Sequence, residues 1–228
     1  MRHLGFKSSL ADPNVWMREA VTAEGAEYWK YILLYTDDVL VISDTGEKSL
    51  WYGIGKYFQL KEESIGEPKI YLDGHMRKVT LENDQDAWAF ESSQYCQAAV
   101  ANVEMFLEES GAKLPSRAQT PIQTSYRPEL DILAELEPTE AAYFQSLIGI
   151  LWWLVELGRV DICLECSMLS SHLALTQEGH LKQVYHMFAY LKKHHNSVLV
   201  FDPSDHIIDE AEFEKNDWTS SEFEHCAG

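Results

Sequence analysis

Basic side chains are scarce in this chain. Eighteen lysines and arginines face 37 aspartates and glutamates, a formal charge of −19 over 228 residues. Nucleic-acid binding is dominated by cationic contacts to phosphate, so a chain this acidic repels DNA and RNA as a whole. Part of the excess is local. Nine acids and one lysine fall between Phe201 and Gly228, which reads as a solvated acidic tail over 202–228. Cysteine is sparse too: Cys96, Cys163, Cys166 and Cys226 suggest a reducing, intracellular setting, cytoplasmic or nuclear. Cys163 and Cys166 form a lone Cys-x-x-Cys with no second pair to complete a zinc site. With Ile162, Leu169 and Leu173 at helical spacing, both read as core cysteines. No apolar run is long enough for a bilayer. The longest, Leu147 to Val155, is broken by Gly149 and closed by Glu156, so no membrane is expected. The first residues lack the apolar segment of a secretory leader. No phosphate-cradling glycine loop appears, since Gly53-Ile54-Gly55 has no third glycine. No Gly-x-Ser-x-Gly elbow is present, and His172, His180, His186, His194 and His195 contain no His-x-x-x-His pair.

What is present is a core and one unusual pair of acids. Hydrophobic residues make up 46% of the chain, enough for a folded protein of one large or two small domains. The run from Tyr31 to Ser43 holds two apolar, β-branched-rich stretches separated by Asp37 and Asp38. That pattern is a strand, a tight turn and a second strand with both carboxylates at the tip. Aspartate is a common turn former. Adjacent carboxylates also repel unless a cation neutralises them, and hard oxygen ligands on rigid strands suit Mg²⁺. The second reading leads to metal-assisted phosphoryl or nucleotidyl transfer.

Along the chain, residues 14–20 and 28–43 read as strands. Thr45 can cap a helix running to about Phe58, with Leu50, Ile54 and Tyr57/Phe58 in period. Residues 69–91 alternate around Asp73-Gly74 and Asn83-Asp84, predicting two or three short strands. A helix follows from Ser92 to about Glu109, carrying Tyr95, Ala99, Val103 and Phe106/Leu107, and Gly111 stops it. Three prolines and little periodicity mark 112–137 as a linker. Pro138-Thr139-Glu140 opens a helix that is apolar almost all round. Further helices are predicted over about Asp161–Leu175 and Glu178–Lys193, then a strand at Val198–Phe201. The last helix places Lys182, His186 and Lys193 on one face. With Lys192 they form the most basic patch, either a contact for nucleic-acid phosphates or a solvated face whose cations suit the helix C-terminal dipole.

Several of these stretches also resemble, in order, one known family. Tyr35-Thr36-Asp37-Asp38 resembles the Tyr-X-Asp-Asp box of reverse transcriptases. Leu4-Gly5-Phe6, Ser8-Ser9 and Asp12-Pro13-Asn14-Val15-Trp16 resemble the stretch that precedes it in copia-type retrotransposons. Tyr57-Phe58-Gln59-Leu60-Lys61, Ile65-Gly66 and Tyr71-Leu72 resemble the next segment. The helix Gln145 to Leu154, the box Arg159-Val160-Asp161-Ile162, and then Leu169-Ser170, His180 and Tyr190-Leu191-Lys192 are similar to later family elements. The series spans about residues 4–203.

The resemblance implies an α+β fold: a partial polymerase palm of β-hairpins plus helices, followed by a helical thumb- or connection-like region. Residues 1–111 would be the partial palm with primer-grip-like strands, 112–137 the linker, 138–201 the helical region and 202–228 the tail. It implies that Asp37 and Asp38 are the catalytic and metal residues, holding Mg²⁺ or Mn²⁺. Tyr35, Thr36, Leu72 and Gly74 would lie against nucleotide or primer. Partners would be an RNA template, a DNA primer and dNTP, within a virus-like particle in a complete element. Two positions depart from the family: Asp73 follows Leu72 where Leu-Gly is usual, and Val160 replaces proline. Two-metal transfer needs a third carboxylate from a separate strand. In the family it lies well upstream of the box, as do the basic fingers and a Gln-Ala segment. Asn216-Asp217-Trp218-Thr219 resembles the lead-in to an RNase H domain. The expectation is therefore a polymerase fragment, inactive alone, whose full-length relatives carry the N-terminal half and RNase H. Two alternatives stand beside it: a non-catalytic interaction module using residues 138–195 and the tail, and an unrelated Mg²⁺-dependent phosphotransferase.

Overall fold

The computed structural model describes residues 1–46, 48, 53–59 and 65–204. Among them are two four-stranded antiparallel sheets and four α-helices, an α+β fold as the patterning predicts. The first sheet runs β1 (Lys7–Ser8), β2 (Val15–Val21), β3 (Glu27–Tyr35) and β4 (Asp38–Ile42), in that order. Alternation sets its two faces. Trp16, Ile32 and Val41 share a row, as do Leu34 and Val39. This face packs on Phe6 and Ile54 as a small core. The Arg18 guanidinium borders it, 4.7 Å over the Phe6 ring and donating to the Leu4 carbonyl at 2.6 Å. Residues 47 and 49–52 of the helix predicted from Thr45 to Phe58 lie outside the described residues. The described end of that stretch is one 3₁₀ turn, Ile54–Lys56.

The second sheet runs β5 (Ile70–Tyr71), β6 (Gly74–Thr80), β7 (Asp86–Glu91) and β8 (Val198–Phe201). Its first turn sits one residue earlier than the Asp-Gly pair suggests. Tyr71 pairs with Gly74, leaving Leu72 and Asp73 at the centre with φ of 50° and 63°, the type I′ signature of a two-residue hairpin. Gly74 is needed for space: a Cβ there would lie 2.0 Å from Cζ of Phe90. The next connection is a three-residue loop, with Leu81 and Gln85 bonded across it and Asp84 left-handed at φ 59°.

The helices are α1 (Ser93–Glu109), α2 (Pro138–Glu156), α3 (Cys163–Ser170) and α4 (Glu178–Lys193). Phe144, Leu147, Leu151 and Leu154 of α2 are sealed between α1, α3 and α4, which is why that helix reads as apolar all round. Both long helices before α3 end in Schellman motifs. At α1, Gly111 (φ 71°) precedes an Ala112 N–H bonded to the Leu107 carbonyl; at α2, Gly158 (φ 91°) precedes an Arg159 N–H bonded to the Leu154 carbonyl. α3 stops at Ser170, short of the predicted Leu175. There the hydroxyls of Ser170 and Ser171 bond the carbonyls of Cys166 and Met168, a competition that weakens helix propagation. Cys166 is a core residue as expected, and its burial pushes the thiol up to about 12. Cys163 instead is exposed. No helix of the described residues is long and apolar enough to cross a membrane.

Candidate functional site

The hairpin β3–β4 turns through Thr36 and Asp37, with Tyr35 and Asp38 paired across its base. Thr36 has φ 52°. A β-branched residue in the left-handed region is a real outlier, costs on the order of 1–3 kcal/mol, and such positions cluster at functional sites. Asp37 and Asp38 are both exposed.

The second hairpin meets this tip. The Leu72 N–H donates to Asp38 Oδ2 at 3.4 Å, across 34 residues of sequence. Tyr71 beside it has its phenol pushed above the ordinary value by burial, then by the carboxylates of Asp38 and Asp12. Asp12, in the β1–β2 connection, therefore shares this neighbourhood. From the other side the Tyr35 ring lies 6.0 Å from that of Trp153 on α2. The fold thus gathers Tyr35, Asp38 and Leu72 at one point, with Thr36 and Asp37 on the turn above. Gly74 lies two residues beyond Leu72, under Phe90.

Among the described residues no three His, Cys, Asp or Glu side chains are grouped to hold a metal. Asp37 and Asp38 suit a single hard cation that keeps most of its water, the usual state of Mg²⁺ on one or two carboxylates. The two-ion arrangement of nucleotidyl transfer does not fit them alone, because among the described residues no third carboxylate is grouped with them.

On the basic face of α4 the three lysines are solvent-exposed and His186 is buried. Lys182 pairs with Glu178 at 3.0 Å and Lys192 with Glu104 at 2.7 Å, while Lys193 is exposed. His186 is 5% exposed, with Nε2 3.1 Å from the Thr120 carbonyl. A carbonyl only accepts, so Nε2 carries the proton; Nδ1 has no partner among the described residues. Residues 112–137 lie along this face as a packed strap. Gln183 and Gln123 bond each other through side chain and backbone at 3.1 and 3.2 Å. His180 bonds the Pro128 carbonyl at 3.1 Å and accepts from the Gln177 N–H at 3.0 Å. Gly179 makes room for the Asp131 carboxylate, which a Cβ there would meet at 1.6 Å. Among the described residues no hydrogen bond or ion pair links Lys182, His186, Lys192 or Lys193 to the β3–β4 hairpin.

Patterning alone missed a buried ion network. The Schellman end of α2 turns Arg159 inward, leaving its side chain 1% exposed. Its guanidinium forks onto Asp161 at 2.8 and 2.7 Å and reaches Cys96 Sγ at 3.6 Å. The Tyr190 hydroxyl donates to the same carboxylate at 3.0 Å. Burial would raise the Asp161 carboxyl, yet the arginine fork outweighs it and holds the group below the usual range. The glycine at 158 followed by arginine was the available clue.

Compared with protein-family models, curated proteins and solved structures, the chain matches none of them.

Proposed function

We propose that this chain is the aspartate hairpin, primer-grip-like turn and following helical region of a copia-type retrotransposon reverse transcriptase. Its ancestral chemistry is RNA-directed DNA synthesis, and residues 1–228 are inactive by themselves. One observation carries the reading: the Leu72 N–H of the second hairpin meets the Asp38 carboxylate of the first. A polymerase that holds a primer end against a metal-bearing carboxylate needs such a tip-to-tip arrangement. The ordered resemblance over residues 4–203 supports it, as does the strained turn at Thr36.

In this reading Asp37 and Asp38 would hold Mg²⁺ or Mn²⁺, which supplies neutralising charge to substrate phosphates. Leu72 fixes the orientation of one Asp38 oxygen, and Tyr35 is steadied by Trp153. With two carboxylates at the tip, no transfer step follows from these residues alone. A second reading, a non-catalytic interaction module derived from the same polymerase, is supported by the packing of Thr120, Gln123 and Pro128 on His186, Gln183 and His180 of α4.

The test is extension of a DNA primer on an RNA template with dNTP and Mg²⁺ or Mn²⁺. No extension is expected, together with weak Mn²⁺ binding by water relaxation that Asp37→Asn removes. Extension abolished by Asp37→Asn would overturn the inactivity. Mn²⁺ binding indifferent to Asp37→Asn and Asp38→Asn would remove the metal role.

A further inference from the structure

The core-facing side of the first sheet has two unlike ends. At one, Trp16, Ile32, Leu34, Val39 and Val41 close over Phe6 and Ile54. At the other, the same alternation brings up Arg18 and Lys30. These two are partners across the β2–β3 register. Like charges directly opposite each other on one sheet face are destabilising, and opposite charges are the favourable arrangement.

Both cations are held in place by neutral groups. The Arg18 guanidinium lies over the Phe6 ring and donates through Nη1 to the Leu4 carbonyl. The rest of its donor fork makes no other hydrogen bond or ion pair among the described residues. Lys30 Nζ lies 5.8 Å from the centre of the Tyr28 ring and donates to Thr45 Oγ1 at 2.8 Å. A lysine only donates, so the Thr45 hydroxyl accepts this bond and its own O–H remains a donor.

A cavity of about 510 Å³ opens over these groups. Arg18, Thr45, Lys48 and His3 line it, and Leu4 and Phe6 give it an apolar wall. Among the described residues no carboxylate lines it, and His3, Arg18, Lys30 and Lys48 form no ion pair. Asp44, next to Thr45 in the chain, is exposed and pairs with none of them. Elsewhere Arg77, Lys78, Arg159, Lys182 and Lys192 each meet an acid. Acids outnumber bases 37 to 18 in this chain, so a group of cations without one is the exception.

We infer that this cavity binds a phosphate group, either as inorganic phosphate or as the phosphomonoester of a small molecule. The planar guanidinium fork matches phosphate oxygens. Lys30 and Lys48 add point charge, and the Thr45 hydroxyl adds a neutral donor. A phosphate dianion suits this set better than a carboxylate, because it neutralises more than one fixed cation and shares its terminal oxygens among them. The inference is independent of the polymerase reading. Arg18, Lys30 and Thr45 lie at the strand ends remote from the turn that carries Asp37 and Asp38.

The experiment is a titration of the full 228-residue chain with inorganic phosphate, chloride holding the ionic strength constant. The Arg18 Nε–H and the Thr45 amide are followed by NMR. Both signals should move saturably while the amides of α1 and α4 stay still. Lys30→Gln can keep the bond to Thr45 and should weaken binding by about tenfold or more. It should leave the phosphate-free chain as stable as before or more so, because it ends the like-charge pair. Arg18→Lys keeps the charge, loses the fork and should weaken binding to a similar degree. Lys193→Gln, on the helical body, should change nothing. Adenosine 5′-monophosphate distinguishes the two carriers. Its base would rest on the His3 ring, which stacks with that of Tyr57 at 6.5 Å, so an added shift of both sets of ring protons identifies a nucleotide. Binding of inorganic phosphate without that added shift identifies the free anion. Shifts that follow ionic strength rather than phosphate would overturn the inference. So would acetate binding as tightly as phosphate, or phosphate binding unchanged in Lys30→Gln and Arg18→Lys.

Discussion

Among the described residues, eighteen buried side chains from the helical body form one continuous core, whereas the first sheet closes over Phe6, Ile32 and Ile54 alone. The helical body also satisfies its buried charge: Arg159 and Asp161, in the connection after α2, engage Cys96 of α1 and Tyr190 of α4. The first sheet carries the two exposed carboxylates, and among the described residues Met17, Tyr31, Leu33 and Leu40 on its second face join neither apolar core. The residues with the strongest claim to chemistry therefore sit on the less anchored half. They are steadied from outside by Leu72 and Trp153 rather than from within. Local stability follows buried apolar contacts, so the two halves should respond differently to perturbation.

The largest effect should come from Arg159→Ala, which strands a carboxylate in the helical body and should cost about 3–5 kcal/mol in urea unfolding. Its pH signature has a definite sign. Asp161 is held below its ordinary value, so its contribution is fully present above about pH 4 and is lost as pH falls through the lower folded value. In Arg159→Ala that acid-dependent loss should shrink. Next, Ile32→Ala should cost about 2–4 kcal/mol within the first sheet. Exchange should accelerate over residues 15–42 while α1 and α4 amides stay unchanged; equal acceleration in both would break the comparison. Gly74→Ala should cost about 1–3 kcal/mol by driving a methyl into Phe90, read as a fall in the urea midpoint. The smallest effect should be Gly149→Ala on α2, where an added Cβ meets nothing within 4 Å. It should stabilise the helical body by about 0.5–1 kcal/mol, measured the same way.

Much of this architecture was legible in the amino-acid order. The alternation of Trp16, Ile32, Leu34, Val39 and Val41 predicts the first sheet, and the apolar period of 144–155 predicts α2, because both patterns are local. The tip at Asp37 and Asp38 was legible for the same reason. Its neighbours were not. Nothing near Asp38 announces that Leu72 will reach it, and nothing near His186 announces Thr120. These meetings depend on how separate elements pack, and no period within either segment encodes them. The Asp73-Gly74 pair misled by one residue because its glycine answers to the Phe90 ring, a contact sixteen positions away. On α4 the lysines are exposed as a solvated face would have them, and only His186 misled, because a strap without periodicity covers it.

The pairing of β8 with β7 has a consequence in time. Glu91 is joined to Val198, so the second sheet cannot be finished until almost everything between them has been made. During synthesis β7 must wait with one side bare while α1 to α4 emerge in turn. Pairings this distant in sequence form late and slowly, and a waiting strand is open to wrong partners. The interval between making Glu91 and making Val198 is therefore when the nascent chain is most exposed to misassembly.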